Sequence, residues 1–445
     1  MSQILITNAT LVNEGEIFSA DLLIKNGRIE RISDQISAPA DAQVVDAKGL
    51  HLLPGFIDDQ VHFRDPGAPH KGSIRSESRA AVAGGVTSFM DMPNTNPTTT
   101  NEAALEAKHA VAREHAAANW GFYLGASNNN IEDVRAVNPH LACGVKVFMG
   151  ASTGNMLVDD EKVLSLIFRD CPLVIATHCE YSPMIEENIA AAEARYGREI
   201  PVELHPKIRS AEACYASTEM ATSLAREHEA RLHVLHLTTA RELDFFEPGP
   251  MAGKKITAET CIHFLHFTDA DFATLGNRIK CNPAIKTAAD QAGLLAALDD
   301  GRIDILATDH APHTLEEKST NDYFKAPAGL PLVQDVLVGS LDLVARGKLS
   351  LTNLVTKGMH NPAERFDVKD RGYLREGYWA DLVLVDLQGE TAATQERQRA
   401  HIGWTPFEGR RFQGRVVSTW VNGALAFDGS EVIEHGAAQA LSYDR

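Results

Sequence analysis

From Phe56 to His310 the chain repeats one pattern about eight times: a short apolar run, a polar or ionisable residue at its end, then a stretch of helical period. The runs are FIDDQVH, VTSFMDM, WGFYLGA, GVKVFM, LVIATH, LHVLHL, ITAETCIHFL and IDILATDH. Amphipathic stretches such as EAALEAKHAVAREHAAA separate many of them, and PLVQDVLVGSLDLVARG follows the last. Near-continuous apolar runs of this length are strands covered on both faces, as in parallel sheets. About eight such units in roughly 300 residues predict an α/β fold, a (β/α)8 TIM barrel, whose chemistry collects at the C-terminal strand ends. A doubly wound sheet is the alternative, but no GxGxxG follows the first run.

The two ends of the chain follow a different rule. ILITNATLV and LLIKNGRIERI near the start, and GYWADLVLVDL and VVSTWVNGALAFDG near the end, are strand-rich and punctuated by turns. Asn26-Gly27 and Asn422-Gly423 are two-residue hairpin signals. Neither end has enough strands for a core of its own, so the expectation is a small β-sandwich domain built from both termini. The expected division is 1–50 and 368–445 for the two parts of the sandwich and 51–367 for the barrel.

Composition narrows the function classes. A content of 44% hydrophobic and 23% charged residues is that of an ordinary globular protein, and a net charge of -18 argues against nucleic acid or an anionic membrane as partner. An anionic ligand would need a local basic pocket. The six cysteines form no CxxC pair, which suits reduced, buried thiols. The N-terminus lacks the marks of a signal peptide and no window reaches ~20 uninterrupted apolar residues, so the cytoplasm is the expected compartment.

The strand ends carry the chemistry. In FIDDQVHFRDPG, period-2 alternation puts Gln60, His62 and Arg64 on one face and Asp59 and Val61 on the other. Taken together, His62, Lys146, His178, His236 and Asp309 would converge on one barrel mouth. An ammonium on an inward strand is costly, so the Lys146 pKa should fall and its neutral amine become accessible. That amine can take up carbon dioxide as a carbamate, an N6-carboxylysine able to bridge two metal ions. His178 and His236 would add nitrogen ligands for zinc, and Asp309 a carboxylate that both touches metal and holds a proton. His233 falls on the opposite face of its strand and is expected to be structural.

With these residues assembled, the chain resembles the amidohydrolase superfamily and, within it, the bacterial-type dihydroorotases. The resemblance rests on LPGFID, HFRDPG, MPNTNPTT, VKVFM, THCE, LHL, KCNPAIK, ATDHAPH, NPAERF and GYWADLVLVD, in this order over nearly the whole chain. It implies reversible closure of N-carbamoyl-L-aspartate to L-dihydroorotate in pyrimidine synthesis. It also implies zinc, which lowers the pKa of bound water to about 7, and Asp309 as the catalytic acid–base. Arg64, Asn94 and His313 match the family's carboxylate-binding positions. Asn282 and the backbone around Ala328 and Gly329 match positions that contact the ring. A homodimer, and an aspartate transcarbamoylase as a possible partner, are family-level expectations.

Two positions depart from the family pattern: Gln60 replaces the first histidine of the HxH motif, and Phe264 replaces a second histidine after His263. An amide oxygen is a poorer zinc ligand than imidazole. The expectation is one tight zinc, with a second weak or absent and Gln60 at most a marginal ligand. Allantoinases and hydantoinases resemble the same scaffold but open rings without this carboxylate. A non-catalytic scaffold for aspartate transcarbamoylase is the remaining alternative.

Overall fold

The computed structural model describes residues 3–150 and 156–445. Strands β1 (Gln3–Asn13), β2 (Glu16–Lys25), β3 (Arg28–Ser33), β4 (Ala42–Asp46) and β5 (His51–Pro54) open the chain. Eight strands follow: β6 (Phe56–Val61), β7 (Val86–Asp91), β8 (Asn119–Gly125), β9 (Ala142–Phe148), β10 (Ile175–His178), β11 (Leu232–Val234), β12 (Ile256–Cys261) and β13 (Ile305–Ala307). The chain ends in β14 (Leu382–Ala392), β15 (Arg411–Val421) and β16 (Ala424–Phe427).

Strands β6 to β13 pair in sequence order, each neighbour parallel to the next. A parallel bridge between Val61 and His310, with the His62 N–H donating to the His310 carbonyl at 2.7 Å, joins the first strand to the last and closes the barrel. The buried residues of these strands divide between a large hydrophobic core that takes in the surrounding helices and a smaller cluster that includes Ile57, Met90, Tyr123, Ala176, Leu235 and Ile305. Helix Glu102–His115 shows why the intervening stretches are helical. Asn101 caps it by accepting the Ala104 N–H, Glu102 occupies its first turn, and Arg113 and His115 its last, all favourable to the helix dipole.

The termini share one sheet, in the order β16-β15-β14-β5-β1-β2-β3, with β4 pairing the first half of β1. Strand β5 lies parallel to β1 and antiparallel to β14, so it splices the two ends of the chain. This β-rich unit has its own core, including Ile4, Ile6, Leu22, Leu52, Leu382 and Trp420. Both Asn-Gly turns form, with Asn26, Gly27, Asn422 and Gly423 all at positive φ. They meet back to back: a Cβ on Gly27 would lie 2.7 Å from the Asn422 carbonyl oxygen, and one on Gly423 2.8 Å from the Gly27 Cα.

The run ITAETCIHFL divides. Its strand ends at Cys261, and Ile262–His266 is helical. Both halves are buried, and a short apolar run does not reveal by its period which structure buries it. All six cysteines are free, five of them buried. Among the described residues no helix is long and apolar enough to cross a membrane.

Candidate active site

Parallel register brings the strand ends level. Thr177 pairs with Val234, so His178 and His236 stand at neighbouring ends with ring centroids 4.6 Å apart. Lys146 pairs with Ala176 one strand away. These three, with Gln60, His62 and Asp309, line one cavity of about 190 Å³ at the C-terminal end of the barrel. Arg64, Asn94, Asn282, His313, Ala328 and Gly329 line its other side. Every residue singled out in the sequence as a ligand or substrate contact therefore borders the same space. Clefts of about 520 and 400 Å³ elsewhere hold no such convergence of imidazoles and carboxylates.

Three cavity residues, Arg64, His236 and Asp309, adopt left-handed backbone conformations at φ of 67°, 41° and 53°. Such geometry is uncommon outside glycine and concentrates where a side chain must be aimed. Arg64 lies beyond the end of its strand, and the turn rather than strand alternation brings it to the cavity.

His178 and His62 are oriented by their second ring nitrogens. His178 Nε2 donates to Glu180 Oε2 at 2.8 Å, and Arg209 Nη1 donates to the same oxygen at 2.5 Å. Burial opposes the charge on Glu180, yet Arg209 and His178 hold its carboxyl down to about 2. His178 Nδ1 is left for another partner. His236 is fixed instead through its backbone, whose N–H donates to Glu259 Oε1 at 3.0 Å, while its buried ring Nδ1 has no hydrogen-bond partner among the described residues. Burial holds both rings below the usual histidine pKa, in the neutral form a metal ligand requires.

His62 Nδ1–H donates to Asn94 Oδ1 at 2.7 Å, and its Nε2 faces Asp309 Oδ1 3.2 Å away. A ring nitrogen and a carboxylate oxygen at this spacing share a cation, whether a proton or a metal ion. Gln60 uses its amide NH2 to donate to Asp309 Oδ1 at 3.1 Å, and its Oε1 faces the Cys261 thiol with Sγ 4.0 Å away. In this arrangement Gln60 supports the carboxylate and turns its only ligand-type atom elsewhere. Lys146 is 1% exposed, has no carboxylate within salt-bridge distance among the described residues, and holds Nζ 4.5 Å from the Phe148 ring centroid. Burial pushes its pKa down to about 8 against the pull of Asp309 and Glu259. The donor set thus fits a metal: neutral imidazoles, a carboxylate, an orphaned buried nitrogen and an amine near its neutral form.

The opposite wall is built of hydrogen-bond donors. Arg64 Nε donates to the Pro312 carbonyl at 3.1 Å, and Nη2 lies 3.0 Å from His313 Nε2. Among the described residues no carboxylate comes within 4 Å of this guanidinium, and neither Asp59 nor Asp65 pairs with it. Burial lowers the Arg64 pKa to about 10, which leaves the cation intact at neutral pH. Asn282 Oδ1 is buried without a hydrogen-bond partner among the described residues. Gly329, at φ 142°, passes so near that a Cβ would lie 2.5 Å from the Ala311 carbonyl oxygen and 3.0 Å from His313 Cδ2.

His233 does not line the cavity. It is buried beneath, with Nδ1 2.8 Å from Thr257 Oγ1 and Nε2 3.3 and 3.2 Å from Asp59 and Glu259. These three side chains bring ligand-type atoms within 4.8 Å of one another under the floor that holds His236. Sequence reasoning missed Glu180, Glu259 and Lys71. Glu180 and Glu259 stand out only as acids inside apolar runs, and Lys71 gives no signal in its loop.

The whole arrangement has counterparts. A model described as the amidohydrolase family matches residues 51–426. An allantoinase of Deinococcus radiodurans is 32% identical over 96% of this chain and 96% of its own length. A dihydroorotase of Methanothermobacter thermautotrophicus is 32% identical over 92% and 91%. The solved structure of an L-hydantoinase (dihydropyrimidinase) from Arthrobacter aurescens superposes with a TM-score of 0.94 at 28% identity, covering 99% of this chain and 100% of that one. The barrel, the terminal sheet and the extent of these matches lead to one conclusion: the chain belongs to the amidohydrolase family.

Proposed function

We propose that this protein is a zinc-dependent cyclic-amide hydrolase whose substrate pair is L-dihydroorotate and N-carbamoyl-L-aspartate. The observation that carries the substrate choice is Arg64, a half-buried guanidinium in the cavity wall without a carboxylate partner among the described residues. A planar fork of N–H donors suits the carboxylate of an anionic ring, and the orphaned Asn282 Oδ1 offers an acceptor to a ring N–H. Allantoin and simple hydantoins carry no ring carboxylate for Arg64.

Lys146 in its carbamate form, His178 and His236 would hold one zinc, and His62 with Asp309 would contribute toward a second, weaker position. The chemistry supplied by bound zinc is Lewis-acid activation, which polarises a carbonyl and brings the pKa of water to about 7. Asp309 accepts the proton released by the attacking water and delivers it to the departing ring nitrogen; ring closure reverses the transfer. Gln60 and His62 both address Asp309 Oδ1, which leaves Oδ2 to carry that proton. Arg64 orients the ring through its carboxylate and Asn94 steadies His62.

Purified protein given zinc should open dihydroorotate faster than allantoin or hydantoin by at least two orders of magnitude in kcat/KM, the scale on which a site built to bond a group rejects analogues lacking it, about 10⁴. Comparable rates on the neutral rings would overturn the substrate assignment. No turnover of any ring would favour a non-catalytic scaffold.

A further inference from the structure

The loop after the first barrel strand places Lys71 beside His313. Lys71 Nζ is 3.0 Å from His313 Nδ1 and 2.8 Å from Glu317 Oε1. Glu317 also closes a capping box with Thr314 at the start of helix Leu315–Lys318, so the ammonium is tied to a fixed acid. On its other side His313 Nε2 is 3.0 Å from Arg64 Nη2 and 3.1 Å from the Ala328 carbonyl oxygen.

An ammonium and a guanidinium only donate, and a neutral imidazole carries one proton. The ring therefore cannot accept from Lys71 and Arg64 at once. At Nε2 the Ala328 carbonyl is within reach of a proton, whereas the nearest acid to Nδ1, Glu317 Oε2, is 3.8 Å away. The proton belongs on Nε2 and the lone pair on Nδ1. Burial, then Arg64, Lys318 and Lys71, hold the ring well below the usual histidine pKa, so the doubly protonated form does not intrude. The consequence is two N–H groups, His313 Nε2–H and Arg64 Nη2–H, side by side at the cavity wall, the first held by the Ala328 carbonyl until an anion competes for it or shares it. Such a pair is unfavourable alone and favourable around an anion.

We propose that Lys71 is a positioning residue: by donating to Nδ1 it fixes His313 as the Nε2–H tautomer, completing with Arg64 a two-residue donor site for a substrate carboxylate. The ligand class rests on the dihydroorotate reading above; the tautomer does not.

The test separates them. In protein labelled with 15N-histidine, a long-range proton–nitrogen correlation should show His313 unprotonated at Nδ1 and protonated at Nε2, with the signal assigned by its loss in H313N. K71M should shift that population toward Nδ1–H, and K71R should restore it. With dihydroorotate, K71M should raise KM about tenfold, the scale of one charge-assisted hydrogen bond, with kcat changed less than about threefold. Should K71M fail to fold, K71Q carries the same readouts. A His313 tautomer indifferent to Lys71, or a loss confined to kcat, overturns the proposal. Failure of the unaltered protein to open dihydroorotate overturns only the substrate reading, and the tautomer result then stands by itself.

Discussion

Gln60 Nε2 donates to Asp309 Oδ1 over 3.1 Å, where the family pattern places a second imidazole. The glutamine thereby stabilises a carboxylate and surrenders a ligand. One zinc per chain should survive mild chelation in the unaltered protein, and Q60H should retain close to two. Metal analysis before and after chelation decides it, and two equally tight zincs in the unaltered protein would contradict the reading.

Arg64→Lys keeps the charge and loses the fork. Because hydrogen bonds to charged groups contribute roughly 1.5–3 kcal/mol, kcat/KM for dihydroorotate should fall about 10- to 150-fold. Its activity on uncharged rings, if any, should change little. Steady-state kinetics on both substrate types would expose a merely structural arginine, which would depress both alike.

Lys146 should gain its carbamate only as the free amine. With its pKa brought down to about 8 by burial, the neutral fraction rises through pH 8. Metal-free protein stripped of carbon dioxide should recover activity, at fixed dissolved carbon dioxide and zinc, at a rate that climbs from pH 7 and levels above about pH 9. K146A should bind the tight zinc poorly at every pH, with short-chain carboxylic acids restoring part of it.

Lys280 donates to the Tyr323 and Ala326 carbonyls at 2.6 and 2.8 Å, and burial lowers its pKa to about 7. Below pH 7 the folded and unfolded lysines are both protonated and the folded chain bears the whole cost of burial. As pH rises from about 7 toward the unfolded value of ~10.4 the unfolded chain binds more protons, so stability increases by at most about 1.4 kcal/mol per pH unit. Relative to K280M, the unaltered protein should gain thermal stability across this window; a pH-independent difference in melting temperature would refute it.

Much of this site was legible before the fold was known, for a definable reason. His62, Lys146, His178, His236 and Asp309 each interrupt or end an apolar run, and a barrel of parallel strands sends such strand ends to one mouth. Residues that act on these side chains were harder to see. Glu259 reaches His236 only because β11 and β12 pair in one register, and Lys71 meets His313 across 242 positions of sequence. The boundary at Cys261 was hidden because burial, not period, dictates both sides of it. Gln60 was conspicuous as a substitution, but its bond to Asp309 depended on the orientation of an amide.

The splice made by β5 bears on how the chain is completed as it leaves the ribosome. Strand β5 needs β14 as its neighbour, and more than 300 residues separate Pro54 from Leu382, its register partner. The opening strands therefore emerge with an unpaired edge and must wait, through synthesis of the entire barrel, for the strands that cover it. At about 5–20 residues per second that interval is on the order of 15 to 70 seconds. The Gly27–Gly423 contact, which tolerates no Cβ on either side, is then among the last long-range contacts available to form.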